Sequence, residues 1–520
     1  MIWRIFRKDW AQLWPLVAIL TATQFTNAAF WFALGPLEEP RGLVVVAEIV
    51  SYLVLLGVAV LITATVQQDV LIGVSPDWLV RPVRRGALLS AKLLFILITV
   101  HGPMFMADFA HCAASGFRPR DATVAALTRS AYAALVFDLP VLAVAALTKT
   151  MVQAAATILA VWFVVAVGIA AGFLVRGGAP PPFAASGMQW MTPAFWSLLA
   201  LSAATMIISL QYRQRATSRA RAILCGAVLV APLLSFSTWA AVFSVQSFLS
   251  PDPAIARPVV ITFAPSLERA APEPTATANT VLLPLRVAGI APEAIVMSDR
   301  AFIRLVGIDG TTLYSGRTTV TIGYGDDFRV RTSEGGEVRL HQRIALPARI
   351  FELVRAQPVR AEIDYSLTLF RIAATSTIAA LNGDERFPVF DWCRTAIDAD
   401  GDDIELGCAK TGSAPKCMTI ALENPINGRR NPETPHCQPD YAPLSPHIHP
   451  DAMSHFGADV KFHDLQQLAK YPVDGSQLAD ARVRLKSYEP VAHFTRHLVI
   501  PDIRLGDWAA DATGGETRPY

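Results

Sequence analysis

Charge is scarce in this chain. Only 17% of its 520 residues are charged, against about 25% in ordinary globular proteins. An ordinary soluble protein is therefore excluded. The string G-x-x-x-x-G-K-[ST], whose backbone amides and lysine cradle nucleotide phosphates, does not occur, so the chain is not expected to hydrolyse ATP. No HExxH, G-x-S-x-G or CxxC occurs either. That removes the commonest zinc-protease, serine-hydrolase and zinc-site signatures. No triad or working carboxylate pair stands out. The reading is of a non-enzyme that binds no cofactor of its own.

What remains is apolar, 52% of the residues. The charge is unevenly shared: residues 1–250 carry a net +8 and residues 251–520 a net −6. The long apolar runs end near residue 247. Two parts with different solvents are implied. We expect an α-helical multi-span membrane domain over 1–247 and a Pro/Ala/Thr-rich linker over 248–280. A water-facing β-rich domain then occupies 281–520, and a break near 381–391 is the place where it would divide into two modules.

A helix needs about 20 mostly apolar residues to cross a bilayer. Seven runs qualify, roughly 12–34, 43–66, 92–112, 124–148, 151–175, 192–211 and 221–247. The basic start MIWRIFRKDW leads into an apolar run with no cleavage site behind a short core, so it reads as a retained first span. Ile2, Trp3, Ile5, Phe6, Trp10, Leu13 and Trp14 share one broad helical face, and Arg4, Arg7 and Lys8 take the other side. That pattern predicts a helix lying in the headgroup layer before the chain turns into the membrane. Lys and Arg in short loops set orientation. With a cytoplasmic N-terminus, the inside segments hold twelve of them and the outside loops four. An odd number of spans then delivers the C-terminal part to the outer side of a cell membrane.

Cys393, Cys408, Cys417 and Cys437 fit that side, because an oxidising compartment lets thiols pair. Three pairings exist. The sequential one, Cys393–Cys408 with Cys417–Cys437, is preferred over the others and over four buried thiols. Short alternating runs such as TVLLPLRV, AFIRLVG, VRAEIDYSLTLFRI and VAHFTRHLVI are parted by turn clusters such as SEGG and NGDE. They predict a β-sandwich, with the cysteines in loop-rich chain after the break. In the Pro-rich stretch 436–463, His447, His449 and His455 make the best metal-ligand set, although the stretch reads more simply as a loop. The acidic run DADGDDIE lacks the Gly and Glu that an EF-hand requires and reads as a solvated turn.

Asp108, Arg129 and Asp138 fall inside spans. A charge in hydrocarbon costs about 2.5–3.5 kcal/mol on insertion scales, so each must face protein or water. Asp108 and Arg129 lie at similar depth. Either they pair and pin a helical hairpin, or both reach the outer headgroups separately. Asp138, followed by Leu139 and Pro140, lies deeper and has no obvious partner. A transport or gating role and a helix–helix hydrogen bond are both open to it.

Between the second and third runs stands SPDWLVRPVRRGALLSAK, residues 75–92. Pro76 breaks a helix, and Ser75 or Asp77 caps the next. Trp78 and Leu79 form an apolar knob, Arg81, Arg84 and Arg85 supply charge, and Pro82 and Gly86 bound a turn. A shaped basic protrusion on a cytoplasmic loop suits docking on a soluble partner. The order P-D-W-L-x-R-P-x-x-R-x-x-L-L-x-A-K resembles the segment after the second span in permease subunits of export-class (type-two) ABC transporters. The N-terminal interfacial helix resembles their elbow helix. The resemblance covers about residues 1–247. It implies that Asp77, Trp78, Arg81, Pro82, Arg84, Arg85 and Lys92 contact a separate cytoplasmic ABC ATPase. It also implies that this partner binds ATP and Mg, and that a second permease chain, identical or not, completes the transporter. That family usually has six spans and two cytoplasmic ends. This chain departs from it with seven spans and an external domain.

The resulting expectation is a permease subunit of an ATP-driven exporter whose external domain receives, gates or hands on substrate. The alternative is a membrane-anchored extracytoplasmic sensor or assembly protein whose β domain is the working part. A metal-dependent extracytoplasmic enzyme using the histidine loop is the third reading. The lipid bilayer is a partner in all three and nucleic acid in none.

Overall fold

A computed structural model describes residues 1–34, 41–69, 85–175, 191–234, 239–266, 279–291, 294–318, 338–386, 392–397, 404–411, 417–426, 434–437, 453–460 and 480–509. Among the described residues, seven helices are long and apolar enough to cross a membrane: Ile2–Leu34, Gly42–Gln67, Gly86–Ala114, Pro119–Leu147, Met151–Gly172, Ala194–Gln214 and Thr217–Leu234. They are the first to seventh spans.

The first span is a single helix. The expected turn between a headgroup helix and the first crossing is absent, and the helix runs unbroken through Pro15. The cause is its inner stripe. Phe6, Asp9, Leu13, Val17, Leu20, Gln24 and Asn27 recur at three- and four-residue steps and are all buried. The N-terminal turns therefore pack on the bundle as the later ones do. Phe6 meets Phe95 of the third span with ring centroids 5.5 Å apart. Trp3, Trp10 and Trp14 stay exposed.

The third and fourth spans form a hairpin. Gly116 takes φ +80°, Phe117 N–H bonds the Cys112 carbonyl at 3.0 Å, and Pro119 opens the next helix. A glycine-closed helix end followed by a proline-started helix is the result. Each of the two spans holds a π turn, Leu97–His101 and Ala134–Asp138. Pro103 and Pro140 stand two residues beyond these turns. Proline has no N–H and its ring crowds the carbonyl four residues back, so the helix widens. The Gly102 and Leu139 N–H groups reach back five residues, to the carbonyls of Leu97 and Ala134.

The seventh span is described over Thr217–Leu234, with Pro232 inside it, and helix is described again over Trp239–Phe248. That helix leads into the β-rich part.

The first strands are β1 (Val260–Phe263), β2 (Thr280–Ala288), β3 (Ile295–Val306), β4 (Thr312–Thr318), β5 (Val338–Ala345) and β6 (Val359–Ala379). After them come β7 (Asp384–Glu385), β8 (Trp392–Ile397), β9 (Ile404–Thr411), β10 (Cys417–Glu423), β11 (Thr434–Cys437), β12 (Met453–Val460) and β13 (Arg482–Ile503). Among the described residues they form three sheets, ordered β1-β2-β5, β11-β10-β13-β6-β3-β4 and β12-β9-β8-β7. All pairings are antiparallel.

Period-two alternation builds the first core. Val281, Leu283, Leu285 and Val287 of β2 share one buried cluster with Ile303 of β3 and Ile363, Tyr365 and Leu367 of β6. The three-stranded sheet thus packs on the six-stranded one in sandwich fashion. A second core gathers Ile378, Cys393, Ile404, Leu406, Met418, Ile420, Val483 and Leu485. Strands β6 and β13, 21 and 22 residues long, run through both cores. The two cores share these strands, and each draws residues from both sides of 381–391. Two expectations change here. Val260–Phe263, placed in the linker from sequence, pairs with β2. Cys393, Cys408, Cys417 and Cys437, placed in loops, all stand on strands.

Candidate functional site

Lys92 does not reach a docking surface. Its side chain is 1% exposed and lies 2.9 Å from Asp9 of the first span and 2.7 Å from Asp69, just past the second. Lys8 holds the other Asp69 oxygen at 2.6 Å. The expected contact of Lys92 with an ATPase is corrected by this burial. An ammonium group inside an apolar bundle is tolerable only when paired, and two carboxylates pair it. The four groups sum to zero charge. Burial alone would raise the Asp69 carboxyl, but Lys92 and Lys8 outweigh it and hold the group below the usual carboxylate range.

Asp69 and Lys92 bracket the basic segment between the second and third spans, so the knot ties both of its stems to the first span. Asp77, Trp78, Arg81, Pro82 and Arg84 lie outside the described residues, and Arg85 opens the third-span helix. Asp9 is hidden in the sequence because the broad apolar face of residues 1–14 reads as the lipid-facing side. The signal was present as an acid on the stripe Phe6–Asp9–Leu13.

A second pair sits near the middle of the bundle. His101 Nε2 lies 2.7 Å from Asp138 Oδ2, with side chains 8% and 7% exposed. Asp138, without a partner in the sequence reading, has one here. Each residue ends its π turn. From the first span, Gln24 Nε2 donates to the Val100 carbonyl at 3.3 Å. Nδ1 of His101 is buried and has no hydrogen-bond partner among the described residues.

The third pair lies nearer the Gly116 turn, where Arg129 Nη1 reaches Asp108 Oδ1. Of the two readings of these residues, the structure shows the pair that pins the hairpin. Lys92, His101 and Asp108 follow one another on one span at separations of nine and seven residues. At 1.5 Å per residue that is about 13 and 10 Å, so three ionic contacts occupy three depths.

Among the described residues, the β-rich part meets the helices at two places. At the Gly116 turn, Cys112, Phe117, Ala122 and Ala125 pack with Ala409 of β9 and Trp392 of β8. Trp392 Nε1 donates to Asp384 Oδ1 at 2.6 Å, and Arg394 lies 4.3 Å over its ring. Next to these two residues, Cys393 and Cys408 stand opposite one another in register and form a disulfide. Cys417 is also in a disulfide, and Cys437 stands opposite it in the backbone register of β10 and β11.

The second meeting is the helix Trp239–Phe248 on β13. His493 Nδ1 lies 3.2 Å from Gln246 Nε2 and 2.8 Å from Thr368 Oγ1. Ser247 Oγ donates to the His493 carbonyl at 2.6 Å, and His493 N–H donates to Ser250 Oγ at 2.8 Å. Burial pushes the imidazole down to about 4, so it is neutral at neutral pH.

The histidine stretch is only partly in view. His447 and His449 lie outside the described residues, as does the acidic run from Asp398 to Asp403. His455 stands on β12 with its backbone opposite Ala409. No protein-family profile, curated protein or solved structure matches this chain.

Proposed function

We propose that the chain is the permease subunit of an ATP-driven, type-two ABC export system. One observation carries the reading: the segment expected to meet the ATPase is clamped at both stems by the buried Lys92. A force on that segment is delivered to the first three spans together. The third span then leads from Lys92 past His101 and Asp108 to the Gly116 turn, which bears on β8 and β9. ATP and Mg belong to the partner ATPase, and a second permease chain completes the pathway. The β-rich part is extracytoplasmic in this reading. The Cys393–Cys408 disulfide and the concentration of Lys and Arg in the inside loops support that side of the cell membrane.

Affinity purification of the full chain from its native membrane tests the reading. An ATPase with a phosphate-binding loop is expected to accompany it, and to be lost from the R81E/R84E/R85E variant. Recovery of no ATPase, or a complex that the triple variant leaves intact, overturns it. The anchored-sensor alternative draws on the His493 joint, which ties the β-rich part to the last helix.

A further inference from the structure

We propose that His101 and Asp138 form an intramembrane proton-binding site, with His101 Nδ1 as the atom that takes the proton. The inference goes beyond the transport reading and does not depend on an ATPase.

Four observations carry it. Both residues are more than nine-tenths buried. His101 Nε2 lies 2.7 Å from Asp138 Oδ2, in an ionic contact rather than an aligned hydrogen bond, and with the ring proton on that side a neutral imidazole leaves a bare lone pair on Nδ1. That atom is buried and unpartnered among the described residues. A buried lone pair without a partner is destabilising. Finally, both helices depart from α geometry at these two residues, and π turns concentrate at functional sites.

The surroundings leave the pair to set its own charge. Residues 10–34 of the first span and 191–209 of the sixth contain no charged residue. On the second span, Glu48 and Tyr52 are exposed. On the pair's own two spans, Lys92 is held by Asp9 and Asp69, His111 meets Phe32 ten residues farther along, Tyr132 is half-buried, and Asp108 and Arg129 are joined to each other.

The proton balance is simple. With Nδ1 bare, the pair carries one negative charge in an apolar bundle. A proton added to Nδ1 makes imidazolium beside carboxylate, and the pair becomes neutral. On release the Nδ1–H bond breaks, the proton leaves to water, and the lone pair stays on nitrogen. A closed, dry bundle favours the neutral state, because an uncompensated buried charge is costly. Entry of water favours release. Proton occupancy is thereby linked to the opening of the bundle.

The test is nitrogen NMR of histidine-labelled full chain in lipid nanodiscs across pH. One titrating histidine signal is expected to vanish in H101Q. In D138N its proton affinity should change about tenfold or more, since a carboxylate at this distance shifts a neighbour by one unit or more. D108N serves as the control and should leave the signal's midpoint in place. No titrating signal assignable to His101, or one with the same midpoint in D138N as in wild type, overturns the proposal. If D138N fails to fold, D138S removes the charge in a smaller side chain, and a midpoint that it leaves unmoved overturns the proposal equally.

Discussion

In the helical part, neutral groups such as Gln24, Asn27 and Thr65 are buried, and each buried charged side chain meets an opposite charge: Asp9 with Lys92, His101 with Asp138, Asp108 with Arg129. In the β-rich part, the described buried polar residues are Ser, Thr, Asn, Gln and a neutral histidine, and no Asp, Glu, Lys or Arg is among them. There the Tyr365 hydroxyl meets Gln342 and Thr368 meets His493. The difference follows from solvent. Lipid tails are as apolar as leucine, so burial against lipid does not tell one helix neighbour from another. Paired charges do, because a wrong neighbour leaves one of them alone. In water, removal of apolar surface drives assembly directly, and alternating strands need only neutral bonds for their few buried polar groups.

That contrast is open to attack. The largest effect is expected at Lys92. Lys92→Met leaves Asp9 charged and buried, at a cost of about 3–5 kcal/mol, read as a lower melting temperature or loss of folded protein in nanodiscs. The D9N/K92M double variant should recover most of it. A single variant as stable as wild type would remove the charge-pair side of the comparison.

Next come two leucines. Leu283 is fully buried in the first β core, and L283A should cost about 2–5 kcal/mol. Leu159 faces outward from the fifth span at 69% exposure, and L159A should stay within about 0.5 kcal/mol. Equal losses in a denaturant titration would contradict the assignment of two solvents.

The disulfide follows. Cys393 and Cys408 are 15 residues apart, and closing such a loop stabilises by about 3 kcal/mol. C393S/C408S should lower the unfolding midpoint of the β-rich part and leave the helical part unchanged in hydrogen exchange.

The smallest effect at neutral pH belongs to His493. Its folded value, about 4, lies below the ordinary 6.5, so the unfolded chain binds more protons between those values. Stability therefore falls as pH drops from about 6.5 to 4, by about 3 kcal/mol in all. Melting curves of H493Q should lose that slope. An unchanged slope would show that His493 is not buried as a neutral group.

Much of this architecture was legible in the chain. Long apolar runs located all seven spans, since length and composition suffice for that. Alternation located β2, β3, β6 and β13 because one face of each meets the core. Strands β8 and β9 escaped. They are short, and Gly407, Cys408 and Ala409 have little β propensity; their pairing is a tertiary fact. The ionic pairs were half legible. Residue types and depth marked Asp108 with Arg129. His101 with Asp138 required knowing which helix faces which, although both precede a proline by two residues, in HGP and DLP. The burial of Lys92 was hidden because a basic residue beside three arginines reads as part of their surface.

The two π turns have a consequence for chain length. Each takes about one residue more than an α turn would, and they lie in antiparallel neighbours on either side of one contact. Removing one residue from either turn would rotate everything beyond it by about 100°, and either His101 with Asp138 or Arg129 with Asp108 would lose its alignment. Removing one from each would bring the hairpin back toward phase. The pair of widened turns behaves as a matched set of shims, so a deletion in one span is best tolerated when its counterpart carries the same deletion.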